Sequence, residues 1–175
     1  RSSDLIKAHF TVRDTSILFA RQPIYNRRLV IQGYELLFRA QDAINQRPDD
    51  MDGTLATREV LINAFSESDI ATLCHGCPAY VNFNRDMLLK PMPFGANQLV
   101  IEILEDVYWD EALGGVIRTL KNQGFRLALD DYAARNLEHP LLPFADIVKL
   151  EYPHYAPDAL AALVAELKRF GVVVL

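Results

Sequence analysis

The strongest constraint in this sequence is a set of polar side chains that interrupt apolar, strand-like runs. The runs are short, rich in β-branched residues and nearly continuous in hydrophobicity, which is typical of strands buried on both faces. The interrupting residues are Glu35, Asn82, Glu102, Lys149 and the pair Asp130 and Asp131. Burying a charge without a partner is costly. The fold must therefore bring these groups together or give each one its own partner.

The order of the runs predicts an α/β fold. Strand-like runs cover residues 17–24, 29–38, 79–83, 98–104, 125–129, 146–150 and 172–175. Helical spacing of apolar residues occurs over 54–66, 110–123 and 157–170, and glycines at 124 and 171 end the last two segments. From residue 79 onwards the pattern of strands and helices indicates parallel strands. The turn at 25–28 is too short for a parallel crossover, so the first two strands are predicted to form an antiparallel hairpin.

A barrel of parallel strands would gather the acidic residues at one mouth, because residues near the C-terminal strand ends converge there. The acids concerned are Glu35, Glu102, Asp130 and Asp131. Crowded carboxylates raise one another's pKa unless positive charge lies among them, and Lys149 alone cannot offset four acids. Carboxylates with the amide of Asn82 are hard oxygen ligands, which favour Mg²⁺, Mn²⁺ or Ca²⁺ over Zn²⁺. At any single position an edge salt bridge or a helix cap is the simpler explanation, but five separate strands favour a cation site.

Composition excludes several classes of protein. The chain has 175 residues, 50% of them hydrophobic, which suffices for one domain with a core. Its net charge of −5 argues against a protein that binds nucleic-acid polymers. No apolar run approaches the roughly 18 residues of a membrane-spanning helix, and the polar start, Arg1 to Asp4, has no signal-peptide pattern. A cytoplasmic location without membrane association is the resulting prediction.

Cys74 and Cys77 have a spacing that suits a redox pair or half of a zinc site. A structural zinc site needs four ligands, and the sequence has no second pair of cysteines. His139 or His154 could complete such a site only through the tertiary fold. The favoured interpretation is a turn that precedes a strand.

Taken in order, these residues resemble the EAL family of bacterial cyclic di-GMP phosphodiesterases. The matching motifs are Arg21-Gln22-Pro23-Ile24, Glu35-Leu36-Leu37-Phe38-Arg39, Val81-Asn82-Phe83-Asn84, Glu102-Ile103-Leu104-Glu105, Asp130-Asp131-Tyr132 and Val148-Lys149-Leu150. Each motif is weak alone, but the set occurs in family order over residues 17–175. The amino-acid sequence of residues 20–24 and 34–39 is most similar to the subfamily that pairs an EAL domain with a C-terminal HDOD domain.

The resemblance implies a TIM-barrel-like fold with one antiparallel strand. It implies a first divalent metal, Mg²⁺ or Mn²⁺, with the ligands Glu35, Asn82, Glu102 and Asp130, and a second metal held with the help of Asp131. Lys149 would orient the attacking water, which makes the implied catalytic residues Glu35, Asp131 and Lys149. Gln22 and Arg39 would contact the nucleotide, since a guanidinium group suits phosphate. The reaction would be the hydrolysis of one phosphodiester bond of cyclic di-GMP to give linear pGpG.

Three residue changes depart from the family pattern; the first is tolerable alone, and the other two argue against catalysis by this chain. Leu36 replaces alanine, Glu151 replaces aspartate, and Tyr132-Ala133-Ala134-Arg135 replaces an aromatic residue followed by Gly-x-Gly. Glycine permits a positive φ and alanine resists it, so the altered loop puts the second metal in doubt. The prediction is a non-catalytic module that senses the nucleotide or binds a protein partner. The alternatives are an active phosphodiesterase at full length and, with least support, an unrelated metal-dependent α/β-barrel enzyme.

The predicted domain boundaries are residues 1–15 for an N-terminal linker or arm and 16–175 for the EAL-like domain. The family's later motifs, Glu-Gly-Val-Glu and Gln-Gly, have no counterpart before Leu175. A barrel without its C-terminal strands is therefore expected, as a fragment or with its open edge closed by another chain. Besides cyclic di-GMP, the expected partners are an HDOD domain, another protein or a second copy of the chain.

Overall fold

The computed structural model describes residues 8–12, 15–40, 67–92, 94–132 and 139–175. The chain divides into two compact units. The first unit comprises residues 1–81 and 92–99, and the second comprises 82–91 and 100–175. The helix predicted over 54–66 lies outside the described residues.

The first unit is built on an antiparallel hairpin. Strands β1 (Ala8–Val12), β2 (Thr15–Tyr25) and β3 (Ile31–Ala40) are followed by helix α1 (Glu67–Leu73) and by β4 (Ala79–Phe83), whose last two residues belong to the second unit. β2 is antiparallel to both β1 and β3, and β3 is parallel to β4. Among these described strands β2 is thus the antiparallel one, which confirms the predicted hairpin. β1 lies within the predicted linker, whose boundary at residue 16 stays a prediction.

An asparagine organises the turn of this hairpin. The side-chain oxygen of Asn26 accepts hydrogen bonds from the backbone N–H groups of Arg28 and Val30, at 2.9 and 3.1 Å. Leu29 adopts a positive φ of 59°, and its N–H donates to the carbonyl of Asn26 at 2.9 Å. Asparagine favours such turns because its side chain can replace backbone partners. The turn fixes the register that places Gln22 opposite Glu35.

Parallel strands and helices make up the second unit. Helix α2 (Arg85–Leu88) follows β4, and β5 (Leu99–Ile103), α3 (Glu111–Asn122), β6 (Arg126–Leu129), β7 (Ile147–Val148), α4 (Pro157–Lys168) and β8 (Val173–Val174) come next. The first residue of β5, Leu99, belongs to the first unit. β5, β6, β7 and β8 pair in that order, all parallel. Two 3₁₀ turns, Leu142–Phe144 and Tyr152–His154, flank β7. These elements confirm the predicted α/β arrangement of parallel strands.

Helix α3 begins and ends where its sequence predicts. Asp110 precedes it, and its carboxylate accepts a hydrogen bond from the backbone N–H of Leu113 at 2.8 Å. This cap satisfies one of the backbone donors that lack a partner at a helix start. Gly124 follows the helix with a φ of 88°, which glycine adopts at little cost. The buried residues of α3 include Leu113 and Ile117, so the apolar face packs inwards.

The core of the second unit lies between its strands and helices. All five residues of β5 are buried, and so are the last three of β6. Each fully buried leucine or isoleucine side chain there contributes about 1.5–3 kcal/mol of transfer free energy. In the described ranges, every helix is too short or too polar to cross a lipid bilayer.

Candidate functional site

Four polar side chains of the second unit lie at the C-terminal ends of its parallel strands. Asn82 is in β4, Glu102 is in β5, Asp130 follows β6 and Lys149 follows β7. The backbone N–H of Lys149 donates to the carbonyl of Leu129 at 2.9 Å, so Lys149 lies beside the end of β6. Parallel pairing therefore gathers at one edge of the sheet the polar residues that the sequence spreads over some 70 positions.

Lys149 joins two acidic residues. Its Nζ is 2.9 Å from Oε1 of Glu102 and 2.6 Å from Oδ1 of Asp130. The side chain of Glu102 is fully buried, and those of Asp130 and Lys149 are 11% and 19% exposed. Charges this deeply placed need opposite charge close by, because desolvation otherwise outweighs their attraction to distant groups. One lysine shared by two carboxylates leaves the cluster with a net negative charge.

Asp131, the next residue, extends this negative charge to the surface. Its side chain is exposed and its backbone has a positive φ of 42°, an uncommon conformation for a residue with a β-carbon. Partial desolvation at the edge of the cluster raises the pKa of its carboxyl above the ordinary value, and the charges of Asp130, Glu151 and Glu105 raise it further, against the opposing effect of Lys149. A bound cation would relieve this repulsion.

The donor set of this cluster fits a hard divalent cation. The carboxylates of Glu102 and Asp130 and the amide of Asn82 all present oxygen, the ligand atom that Mg²⁺, Mn²⁺ and Ca²⁺ prefer. The side-chain oxygen of Asn82 is buried and has no hydrogen-bond partner among the described residues. Within the same part of the chain, no three His, Cys, Asp or Glu side chains are arranged to hold an ion by themselves. The predicted set of five metal ligands therefore stays a prediction.

Tyr132 ties the end of β6 to the segment that follows β7. Its backbone N–H donates to the carbonyl of Lys149 at 3.1 Å, and its own carbonyl accepts a hydrogen bond from the hydroxyl of Tyr155, also at 3.1 Å. The Tyr132 ring is buried and lies edge-on to that of His139. Burial raises the pKa of the Tyr132 phenol and lowers the pKa of His139, so both groups are neutral at pH 7.

A second cluster of lysine and carboxylate lies at the opposite ends of β6 and β7. Lys121 Nζ is 2.7 and 2.5 Å from the two carboxylate oxygens of Asp146, the residue before β7. Asp146 also accepts a hydrogen bond from the backbone N–H of Leu127, in β6, at 2.8 Å. Both charged side chains are about one-third exposed. One lysine here faces one carboxylate, so the charges balance.

The two cysteines of the first unit form part of a tight turn. Cys77 N–H donates to the carbonyl of Cys74 at 2.8 Å, and the intervening residues His75 and Gly76 both have positive φ angles. Both cysteines are free thiols. Cys74 is fully buried, and burial raises its pKa to about 11, so it stays protonated at neutral pH. The prediction of a turn before a strand is confirmed.

Comparison with known proteins gives matches at both sequence and structure level. The chain is 37% identical over 143 residues to the uncharacterized protein YuxH of Bacillus subtilis, covering 78% of this chain and 34% of YuxH. It is 32% identical over 134 residues to the cyclic di-GMP phosphodiesterase CdgJ of Vibrio cholerae, covering 75% of this chain and 31% of CdgJ. No family model matches the chain.

The structural matches identify the fold. The complex of Klebsiella pneumoniae BlrP1 with manganese and cyclic di-GMP superimposes with a TM-score of 0.70 at 19% identity, over 95% of this chain and 50% of BlrP1. Bacillus subtilis YkuI, which has an EAL domain and was solved with cyclic di-GMP and calcium, gives 0.60 at 15% identity, over 88% of this chain and 46% of YkuI. The chain resembles EAL-domain proteins in fold and CdgJ in sequence. Its fold is the TIM-barrel-like α/β fold of EAL domains, as predicted.

The chain spans about one-third of the length of each of the two sequence relatives.

The EAL-type residues of the second unit lie close together, as described for Glu102, Asp130 and Lys149. These positions match the family motifs in kind and in order. Their roles as ligands or catalytic groups stay predictions.

The EAL-type residues of the first unit lie on the hairpin and are described by themselves. Glu35 is half-buried in β3, opposite the exposed Gln22 in β2 and next to Tyr80 in the parallel register with β4. Directly opposed residues on antiparallel strands share a face, so Gln22 and Glu35 are neighbours on one face of the hairpin. The backbone of Arg39 pairs with Leu18, but its side chain lies outside the described residues.

Two features of the EAL site were not predicted from the sequence. Glu105 and Glu151 act electrostatically on Asp131, although neither belongs to the predicted ligand set. The hydroxyl of Tyr155 reaches the backbone of Tyr132 across 23 positions of sequence. A tyrosine between two prolines gives no signal of such a contact, whereas Glu105, as the last residue of the Glu102-Ile103-Leu104-Glu105 motif, could have been predicted to act on the site.

Proposed function

We propose that this chain serves in cyclic di-GMP signalling as an EAL module that binds the nucleotide without hydrolysing it as it stands. The observation that carries the proposal is the cluster of Glu102, Asp130 and Lys149 at the C-terminal strand ends. Ligands of α/β folds bind at these ends, and the cluster provides the negative charge and the oxygen donors that attract a divalent cation. The choice of nucleotide is supported by the name of CdgJ, a cyclic di-GMP phosphodiesterase, and by the complex of BlrP1 with cyclic di-GMP.

In this proposal the chain's residues have distinct tasks. Asn82, Glu102 and Asp130 would hold a divalent cation in the second unit, and Asp131 would face a second one. A bound cation would supply charge stabilisation at a phosphodiester group and lower the pKa of a bound water. Lys149 would balance the carboxylates and direct a water or a phosphate oxygen. For Glu35, and for Gln22 and Arg39, all in the first unit, the roles of metal ligand and nucleotide contacts stay predictions.

The segment after Asp131 supports the absence of hydrolysis. Asp131 has a positive φ and is followed by Tyr132-Ala133-Ala134-Arg135, in which no glycine is present. Glycine permits a positive φ and alanine resists it, so a sequence without glycine after Asp131 argues against a second bound cation. The alternative, an active phosphodiesterase in a longer chain, is favoured by the retention of Glu102, Asp130 and Lys149 in direct contact.

A titration coupled to a product assay tests the proposal. Calorimetric titration of the chain with cyclic di-GMP, with and without Mn²⁺, should give binding that depends on the metal. Incubation with Mg²⁺ or Mn²⁺ should give no linear pGpG above the level of the Glu35→Ala variant. Product above that control would favour the alternative enzyme, and no binding under either condition would contradict the nucleotide-binding module.

Four further features belong to the same proposal. A C-terminal HDOD domain, a homodimer, another protein partner and a cytoplasmic location are all compatible with an EAL module. Size measurement of the purified chain by light scattering, with and without cyclic di-GMP, would test the homodimer.

A further inference from the structure

The backbone next to the acidic cluster adopts a conformation that is uncommon for residues with a β-carbon. Asp131 has a φ of 42°, in the left-handed region where a β-carbon is crowded. Such conformations persist where the surrounding structure holds them in place. Asp130, one residue earlier, lies 2.6 Å from Lys149, so the placement of both carboxylates depends on what holds this segment.

Hydrogen bonds of the Tyr132 backbone fix the position of this segment. Its N–H belongs to the same peptide plane as the carbonyl of Asp131, and this plane is fixed by the hydrogen bond to the carbonyl of Lys149 at 3.1 Å. The next peptide plane is fixed through the carbonyl of Tyr132, which accepts the hydroxyl hydrogen bond of Tyr155 at 3.1 Å. With both planes held and the ring only 6% exposed, Tyr132 has little freedom to move.

Tyr155 is itself firmly placed. Its backbone N–H donates to the carbonyl of Tyr152 at 3.2 Å, at the end of the 3₁₀ turn Tyr152–His154. Lys149 lies three residues before Tyr152, so the lysine and the phenol belong to one short segment after β7. This segment contacts the end of β6 four times: through the ammonium group, the backbone N–H and the carbonyl of Lys149, and through the Tyr155 hydroxyl.

We propose that Tyr155 is a positioning residue, whose hydroxyl group holds the Asp130–Tyr132 segment and thereby sets the relative placement of the Asp130 and Asp131 carboxylates. It acts through the backbone of Tyr132. Its effect on ligand affinity rests on the proposed function, whereas its effect on the backbone does not.

The chain offers a matched pair of variants. Tyr155→Phe removes one hydroxyl group and keeps the ring. Tyr152→Phe makes the same change on a side chain that is 65% exposed, in the same turn. A difference between the two variants therefore reports the hydrogen bond to Tyr132.

Amide hydrogen exchange is the first measurement. Losing one neutral hydrogen bond should make the Tyr132 N–H exchange roughly three- to tenfold faster in Tyr155→Phe. The amide of Ile117, in the buried face of α3, reports global unfolding, and the loss of one native hydrogen bond should accelerate its exchange by no more than the factor at Tyr132. Tyr152→Phe should leave both amides unaltered. No acceleration at Tyr132 in Tyr155→Phe, or the same acceleration in Tyr152→Phe, would overturn the proposal.

Affinity for Mn²⁺ is the second measurement, followed by the electron paramagnetic resonance signal of the free ion at a temperature where all variants are folded. Tyr155→Phe should bind Mn²⁺ roughly three- to tenfold more weakly than wild type, and Tyr152→Phe should bind it equally. Equal affinity of Tyr155→Phe and wild type would refute the positioning of the carboxylates while leaving the proposed function intact. Absence of Mn²⁺ binding in the wild type would contradict the proposed function instead, and the exchange rate of Tyr132 would still decide the role of Tyr155.

Discussion

The two clusters of lysine and carboxylate in the second unit lie at opposite ends of β6 and β7, and they are built differently. Lys121 faces a single acid, Asp146, which also accepts a backbone N–H, and both side chains are about one-third exposed. Lys149 faces two acids, Glu102 and Asp130, in a much more buried setting. The charges of the first cluster balance, whereas the second cluster has a net negative charge. This difference distinguishes a stabilising contact at the N-terminal strand ends from the proposed cation site at the C-terminal ends.

The largest expected effect is on Mn²⁺ affinity, compared between variants of the two clusters. Replacing Glu102→Gln and Asp130→Asn together removes two negative oxygen ligands, so the affinity for Mn²⁺ should fall at least a hundredfold, or about 2.7 kcal/mol. Asp146→Asn combined with Glu166→Gln removes the same charge elsewhere in the second unit and should leave the affinity within about twofold. Mn²⁺ titration of both double variants is the measurement. Unchanged affinity in the first variant would erase the proposed difference between the clusters.

A smaller effect is expected on the free energy of unfolding when the lysine of each cluster is replaced. Lys149→Met leaves two buried carboxylates without their shared cation, so the free energy of unfolding without metal should fall by about 2 kcal/mol. Lys121→Met affects a partly exposed pair and should cost less than about 1 kcal/mol. Urea denaturation at pH 7 gives both values. If Lys121→Met proved as costly as Lys149→Met, burial would not be the property that distinguishes the two clusters.

The smallest effect concerns pH. Burial lowers the pKa of His139 below its ordinary value of 6.5, and the neutral ring accepts the N–H of Leu141 while it packs against Tyr132. The unfolded chain then binds a proton more readily than the folded chain, so stability falls as pH drops through 6.5 towards the folded pKa. His139→Gln should reduce this loss by less than about 1 kcal/mol, because solvent screens the site.

His154 provides the control for this pH dependence. It is exposed and pairs with Glu151 at 2.8 Å, so His154→Gln should leave the loss of stability between pH 7.5 and 5.5 in place. Urea denaturation at a series of pH values compares the two variants with wild type. An identical pH profile for His139→Gln and wild type would show that this ring does not support the C-terminal end of β6.

Local patterns were enough to predict much of this fold. The short turn at residues 25–28 predicted the hairpin, because chain length alone forbids a parallel crossover there. Helix α3 was predicted from Leu113, Ile117 and Leu120 at helical spacing and from Gly124. Helix α2 was not predicted, since four residues are too few to show a helical period. The shortening of β7 to Ile147–Val148 was missed as well, because its apolar run continues to Leu150.

The candidate site was predictable in its members but not in its contacts. Glu102, Asp130 and Lys149 were identified because each is a charge within or directly after an apolar run. Which acids would share the lysine could not be read from the sequence, since that depends on the register of parallel strands. The hydrogen bond from the Tyr155 hydroxyl to the carbonyl of Tyr132 could not be predicted either, because it joins residues that are far apart in the sequence.

Gly33, in β3, has a consequence for how this chain can vary over evolutionary time. A β-carbon at position 33 would come within 2.4 Å of the ring of Tyr80 and 2.9 Å of the carbonyl oxygen of Pro78. Any larger residue at position 33 therefore requires both a smaller side chain at position 80 and a shift of the backbone before β4. A single replacement at position 33 is therefore strained, and a change at position 80 would have to accompany it.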